Sequence, residues 1–450
     1  MTGFRSPILS RQLLLCCLIL MLILLMAMGC SGGKFLGGSP RSSDTPLVEG
    51  TPSLAVSTLA ITPIPTAEPA DTPSGQVTLR LWVPPQFDPA SDTSAGTLLR
   101  SRLDQFTAIH PDVKIEVRLK VVEGPGGLLE ALSTAGAAAP LALPDVVALP
   151  RPLFEAAALK GLIHPFNDQP SPLDDPDWYE YARELGRLQN STFGLPFAGD
   201  ALVLVYRRGL ILLPPLDWTS LLKTSGPLIF PAADPMALFT LALYQSSGGP
   251  VQDELGRPVL DVNTLSQVLT LYRDAGQVGL MPYTLSQFDT DDQVWTAYQA
   301  DQTLMVITWL SRYLTNGSTA SASRAALLPT SNGAPFTLAT GWMWALASTQ
   351  PERQALGAQL AEFLSSGDFL AEWSLSIGYL PTRASSTAAW SDSELQALAS
   401  QASRAAHPIP STDVLTSLGA PLSQAVVQVL KQQSSPSTAA QEAADHLRNP

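Results

Sequence analysis

The sequence is poor in charge, in histidine and in cysteine, and each shortage excludes something. Asp, Glu, Lys and Arg make up 14% of 450 residues, against about 25% in an average soluble protein. Only 26 are Lys or Arg, and the net charge is −13. Binding to a nucleic-acid backbone needs clustered basic side chains, and the chain has no such cluster. The four histidines, His110, His164, His407 and His446, stand singly. The three cysteines are Cys16, Cys17 and Cys30, two of them inside an apolar run. No set of nitrogen and sulfur ligands at short spacing exists, so no zinc site is expected, nor a disulfide framework. The sequence also lacks a G-x-x-x-x-G-K-[ST] phosphate loop, a catalytic-cysteine context and H-E-x-x-H. Its one G-x-S-x-G string, at 29–33, closes the N-terminal apolar run and does not join a strand to a helix as a nucleophile elbow does. ATP hydrolysis and the common nucleophilic hydrolases are thereby disfavoured. No metal and no cofactor is implied.

Apolar residues are plentiful at 45%, enough for a sizeable core. Some of them form a targeting signal. Arg5 and Arg11 precede an unbroken apolar run at 13–28, the length of a signal-peptide core and short for a membrane span. The run leads into Ala27-Met28-Gly29-Cys30-Ser31-Gly32, which resembles the lipobox of bacterial lipoproteins. That resemblance implies a signal peptide over 1–29 and a lipid on Cys30. Leu and Ala, usual three and two residues before the cysteine, are replaced here by Ala27 and Met28; an uncleaved anchor helix is the other reading. Both place the remaining chain outside the cytoplasm, on a membrane face.

Residues 30–75 read as a tether. Pro, Gly, Ser and Thr supply 26 of the 45 residues at 31–75. Such a stretch buries too little apolar surface to offset its ordering entropy. Fully extended it would reach on the order of 150 Å.

Ordered patterns begin at 76. Val77, Leu79 and Leu81 alternate with polar partners and predict a strand that ends at Pro84-Pro85. Leu99, Leu103 and Phe106 at helical spacing predict a helix over 97–109. Val113, Ile115, Val117 and Leu119 predict a second strand, and 146–149 a third. This alternation predicts an α/β fold with a parallel sheet and right-handed crossovers. Further apolar strands are expected at 201–206, 304–309 and 342–347, with a helix opened by a Thr349/Glu352 capping box.

Several fragments, taken in order, carry a wider resemblance. They include His110-Pro111-Asp112-Val113-Lys114-Ile115, Pro144-Asp145-Val146-Val147 and Gly161-Leu162-Ile163-His164-Pro165-Phe166. Phe193-Gly194-Leu195-Pro196-Phe197 through Asp200 to Tyr206-Arg207, then Trp218-Thr219, and Gly378-Tyr379-Leu380-Pro381-Thr382-Arg383 continue the series. In this order they resemble the extracellular solute-binding proteins of ABC importers, the class that contains maltose-binding protein. Asn190-Ser191 and Arg207 depart from the family's usual Asp-Gly and Asn.

The resemblance implies a type II, two-lobed clamshell: lobe one at 76–198 and 341–378, lobe two at 199–340 and 379–450. It implies a monomer that closes on a small solute, with a carbohydrate as the leading expectation, and delivers it to the transmembrane subunits of an ABC permease. Sugar rings present flat C–H faces and hydroxyl rims, which suit aromatic faces and carboxylates. The expected ligand-binding residues are therefore Trp82, Arg151, Asp200, Trp309 and Trp342, all near predicted strand ends. Each tryptophan has core packing as its alternative, Asp200 a surface turn and Arg151 an exposed ion pair. Trp342 and Trp344 are expected to share one strand face. Asp289, Asp291 and Asp292 read as a solvated loop. A sensor subunit for a membrane receptor, or a binder of a polyamine or a glycerol phosphate, remains open. A carboxylate-pair glycosidase is the enzyme alternative and the weakest of these readings.

Overall fold

The computed structural model describes residues 76–167, 170–317 and 322–448. All belong to one compact unit, Asp71–Pro450. The targeting run, Cys30 and the tether up to residue 75 lie outside the described residues.

The strands are β1 (Val77–Val83), β2 (Val113–Leu119), β3 (Val146–Pro150), β4 (Arg187–Leu188), β5 (Ser191–Thr192), β6 (Gly194–Arg207), β7 (Leu228–Ile229), β8 (Met305–Trp309), β9 (Ser323–Ala326), β10 (Thr337–Leu346) and β11 (Ala406–Pro408). Nine of them form one sheet in the order β2-β1-β3-β10-β6-β8-β7, with β11 added to β10 and β9 to β6. β1 runs parallel to β2 and β3, as the alternating strand and helix patterns predict. β10 runs antiparallel to β3 and β6 and parallel to β11. The sheet is therefore mixed, which corrects the expectation of a parallel one.

β6 organises the unit. Its residues 194–201 pair with β10, and 202–207 pair with β8 and β9. Its interior position explains its sequence, which is buried throughout up to the final residue. Pro196 and Gly199 make this stretch look like a turn followed by a short strand. Pro196 is tolerated because the register slips there: Met343 faces Pro196 and Trp342 faces Ala198, leaving Phe197 as the extra residue of a bulge.

Helices gather around the two halves of β6 in two groups. On one side, helix Ser94–Ile109 is capped by the Thr93 hydroxyl and buries Leu99, Leu103 and Phe106. It packs on helix Gly367–Ile377, while helix Pro351–Phe363 covers β3 and β10. Helix Pro351–Phe363 has Gln350 as its N-cap, with no side-chain cap, so the predicted Thr349/Glu352 box is not formed. On the other side, helices Leu238–Ser246, Val262–Gln277, Thr412–Leu430 and Pro436–Arg448 pack on one another. The segment after Gly378 stays with the first group. Leu380 exchanges both backbone hydrogen bonds with Gly199, and helix Ala384–Ala388 packs on Gly367–Ile377.

Candidate functional site

The strand order brings three of the five predicted residues into one neighbourhood. Trp342 on β10 lies between Pro150 of β3 and Ala198 of β6. Two residues further along β6, Asp200 faces Thr340. Two further still, Leu202 faces Trp309, the last residue of β8. The row follows β6 across the point where its pairing changes from β10 to β8. In open α/β sheets, such switch points and the carboxyl ends of strands are where ligands bind.

Asp200 is not a surface turn. It is 6% exposed and lies inside β6, which corrects the turn alternative. One carboxylate oxygen accepts the backbone N–H groups of Ala201 (2.9 Å) and Ser311 (3.0 Å), and the other accepts the Ser311 hydroxyl (2.5 Å). Burial pushes its pKa up to about 7, against these hydrogen bonds, which favour the ionised form.

Trp342 is nearly buried, and its ring meets Phe87 edge-on, with centroids 5.1 Å apart. Phe87 is the buried residue of the short turn Pro85–Phe87, which opens on the double proline after β1. It also touches Phe197 (5.3 Å) and the half-buried Tyr379 (6.2 Å). Burial and the nearby Asp200 raise the Tyr379 phenol pKa, while hydrogen bonding to Trp342 and the charge of Arg312 oppose the shift. Trp344 lies in the same cluster, stacked on Phe197 at 4.1 Å, but it is fully buried core.

Trp309 is half-buried and begins the short helix Leu310–Arg312. The turn is held by Asp291, which accepts from the Thr308 hydroxyl (2.6 Å) and Arg312 Nε (3.0 Å); Arg312 also pairs with Asp292. Burial raises the Asp291 pKa. The solvated-loop expectation holds for Asp289, which is exposed before the helix, but not for Asp291 and Asp292, which open helix Asp291–Gln299 and brace the turn at Trp309.

The other two residues stand apart. Trp82 is 3% exposed and pairs with Val147 and Arg118 inside the sheet. The Lys120 ammonium lies 4.8 Å from its ring centroid. Its position is that of a core residue. Arg151 is already engaged: Nε donates to Glu155 (2.7 Å), and another nitrogen donates to the Leu185 carbonyl. Glu155 in turn accepts from the backbone and hydroxyl of Thr412. Arg151 joins three helices, which replaces the exposed ion pair with a buried one.

Phe87, Tyr379 and Ser311 escaped the sequence reading. Only Tyr379 had a signal, as part of the Gly378-to-Arg383 motif. Gly199 has a packing reason to be glycine, since a Cβ there would fall 2.1 Å from the Tyr181 hydroxyl. Among the described residues, no group of three or more His, Cys, Asp or Glu is placed to hold a metal ion.

These features agree with comparisons to known proteins. A family profile described as bacterial extracellular solute-binding protein matches residues 101–400. The chain belongs to that family. A comparison with curated protein sequences gives no match. Among solved structures, a cyclo/maltodextrin-binding protein complexed with maltotetraose is similar at TM-score 0.68 and 19% identity, over 82% of this chain and 96% of the other. The sugar-binding protein MalE of Xanthomonas citri is similar at TM-score 0.67 and 18% identity, over 82% and 96%. Maltose-bound MalE3 of T. maritima is similar at TM-score 0.61 and 17% identity, over 82% and 99%. The fold is thus the two-lobed α/β clamshell of periplasmic binding proteins. As a member of its family, the chain is a solute-binding protein and not an enzyme.

Proposed function

We propose that this protein captures a saccharide between its two lobes and hands it to the transmembrane subunits of an ABC permease, acting as a monomer tethered through lipid on Cys30. Lobe one comprises the elements around 76–198 and 341–390, its expected end at 378 moved later because helix Ala384–Ala388 packs on helix Gly367–Ile377, and lobe two those around 199–340 and the C-terminal helices.

The observation that carries the reading is the row Trp342–Asp200–Trp309 with Phe87 and Tyr379 beside it. Aromatic faces and a hydroxyl-rich edge suit an uncharged ring, with Thr340 and Tyr379 able to donate or accept at its rim and the Ser311 hydroxyl, which donates to Asp200, able to accept. Asp200 is the one carboxylate in the row, and it is buried and already accepts three hydrogen bonds. A polyamine, which needs several free carboxylates, fits this lining poorly. A phosphate ester needs free arginines; Arg151 and Arg312 are both paired. The structural neighbours named for maltose and maltodextrins point the same way.

Closure follows from linkage. A solute that contacts both lobes only in the closed form shifts the open–closed equilibrium by its differential affinity. Small-angle scattering of the unit from residue 71 tests this. A decrease in radius of gyration on adding malto-oligosaccharides is expected; unchanged scattering at saturating binding would contradict hinge closure.

A further inference from the structure

The loop after β6 presents leucines to water on a fixed frame. Residues 208–216 read Arg-Gly-Leu-Ile-Leu-Leu-Pro-Pro-Leu. Ile211 and Pro215 are buried and hold the loop down, and the Leu216 carbonyl accepts from the Thr330 backbone (3.3 Å). Leu210, Leu212, Leu213 and Leu216 point outward at 68%, 85%, 84% and 68% exposure. Single exposed leucines are ordinary, but four within seven positions of an anchored loop make a patch. A groove of about 440 Å³, whose walls include Leu327, Leu328 and Leu398, extends it. Beside the patch stands Arg208, exposed and in no ion pair among the described residues, on a chain whose net charge is −13.

We propose that this loop is a membrane contact: the leucines enter the headgroup boundary of a bilayer while Arg208 meets anionic lipid phosphate. Three observations select lipid as the occupant. The four outward side chains of the loop are aliphatic, with Glu394 and Gln401 confined to the adjoining groove, whereas the hot spots of protein–protein contacts are enriched in Trp and Tyr, with Leu under-represented. An exposed, unpaired cation next to an apolar tip matches an anionic surface. The sequence before residue 76 holds an apolar run and a Pro/Ser/Thr-rich stretch whose fully extended length is on the order of 150 Å. Held at that range, the body meets the bilayer at high effective concentration, so a shallow contact is sufficient. The inference rests on the tether of the proposed function for its biological setting. It would orient the body on the membrane instead of leaving it to swing freely.

The unit from residue 71 is compact by itself and contains no cysteine, which permits a clean test. A Leu213→Cys variant carries an environment-sensitive fluorophore. An N-terminal His-tag holds it on phosphatidylglycerol/phosphatidylethanolamine vesicles doped with nickel-chelating lipid. A blue shift is expected at position 213 and not at Leu159→Cys, an equally exposed leucine in helix Arg151–Leu159. In the tagged sample, Leu212→Ser with Leu216→Ser should remove most of the blue shift at position 213. No shift at 213 in the tagged sample would overturn the proposal. So would a shift that requires added permease subunits, or self-association abolished by the serine pair, since either gives the patch to a protein. Failure of the full chain to fractionate with membranes would instead sink the tether and leave the loop result standing.

Discussion

Ser311 gives both its backbone N–H and its hydroxyl to the carboxylate of Asp200, at 3.0 and 2.5 Å. The two residues are 111 apart in sequence, so this contact ties the middle of β6 to the turn that follows β8. It fixes Trp309 relative to Trp342, because each lies within two strand positions of Asp200 or its partner. A charge buried at such a joint makes the joint sensitive to pH.

The sign of that sensitivity follows from the shift. The carboxyl of Asp200 has a pKa of about 7 in the folded chain and 3.8 as its ordinary value. Between these values the folded state holds an extra proton, so this group's contribution to stability is greatest at low pH. It declines as pH rises from about 4 to 7, by roughly 4 kcal/mol at most, and then stays level. Asp200→Asn keeps an acceptor for the two N–H groups and removes the titration. Urea unfolding at pH 5 and pH 8 should show the gap between wild type and variant moving in favour of the variant at the higher pH. Parallel pH profiles would contradict the buried acid.

Arg151→Ala should act on stability and leave solute affinity unchanged. Arg151 and Glu155 are a largely buried pair, and Glu155 also holds the start of helix Thr412–Leu430 through Thr412. Removing the cation leaves an uncompensated carboxylate, at a cost of about 3 kcal/mol. Chemical denaturation measures that loss, and titration on the folded fraction tests the affinity. A selective loss of binding would return Arg151 to the ligand site.

Gly199→Ala should destabilise by about 1–3 kcal/mol, because the new methyl group meets the Tyr181 hydroxyl. Tyr181→Phe removes the clashing oxygen and should recover part of the loss in the double variant. Additive thermal shifts in the two single variants and the double would show that the strain lies elsewhere.

The local elements were legible because their patterns are strong. β1, β2 and β3 alternate or run apolar between prolines, and Leu99, Leu103 and Phe106 repeat at helical spacing. What escaped depends on contacts distant in sequence. Pro196 and Gly199 are breakers by propensity, yet the bulge at Phe197 and the approach of Tyr181 keep both within one long strand. Thr349 and Glu352 have capping-box spacing, but the helix begins at Pro351 with Gln350 as its cap. In the proposed site, strand ends and motif order single out Asp200, Trp309 and Trp342, and the structure places the three in one row along β6. Phe87 and Ser311 could not be, since a lone Phe in a turn and a lone Ser after a Trp have no pattern. Trp82 and Arg151 also follow strand-end logic. Their neighbours, Lys120 for one and Glu155 with Leu185 for the other, gave them structural work.

The central claim is that the row Trp342–Asp200–Trp309 holds a sugar. Its most direct test is isothermal titration of the unit from residue 71 with pooled mono- and oligosaccharides, beside polyamine and glycerol phosphate pools. The expected result is micromolar or tighter binding, on the order of −8 kcal/mol, from a saccharide pool alone, without turnover. Trp309→Ala, which truncates a half-buried ring, should abolish that heat while the variant stays folded by circular dichroism. Heat from the polyamine or glycerol phosphate pool with none from any sugar, or sugar binding that Trp309→Ala leaves intact, would contradict the account.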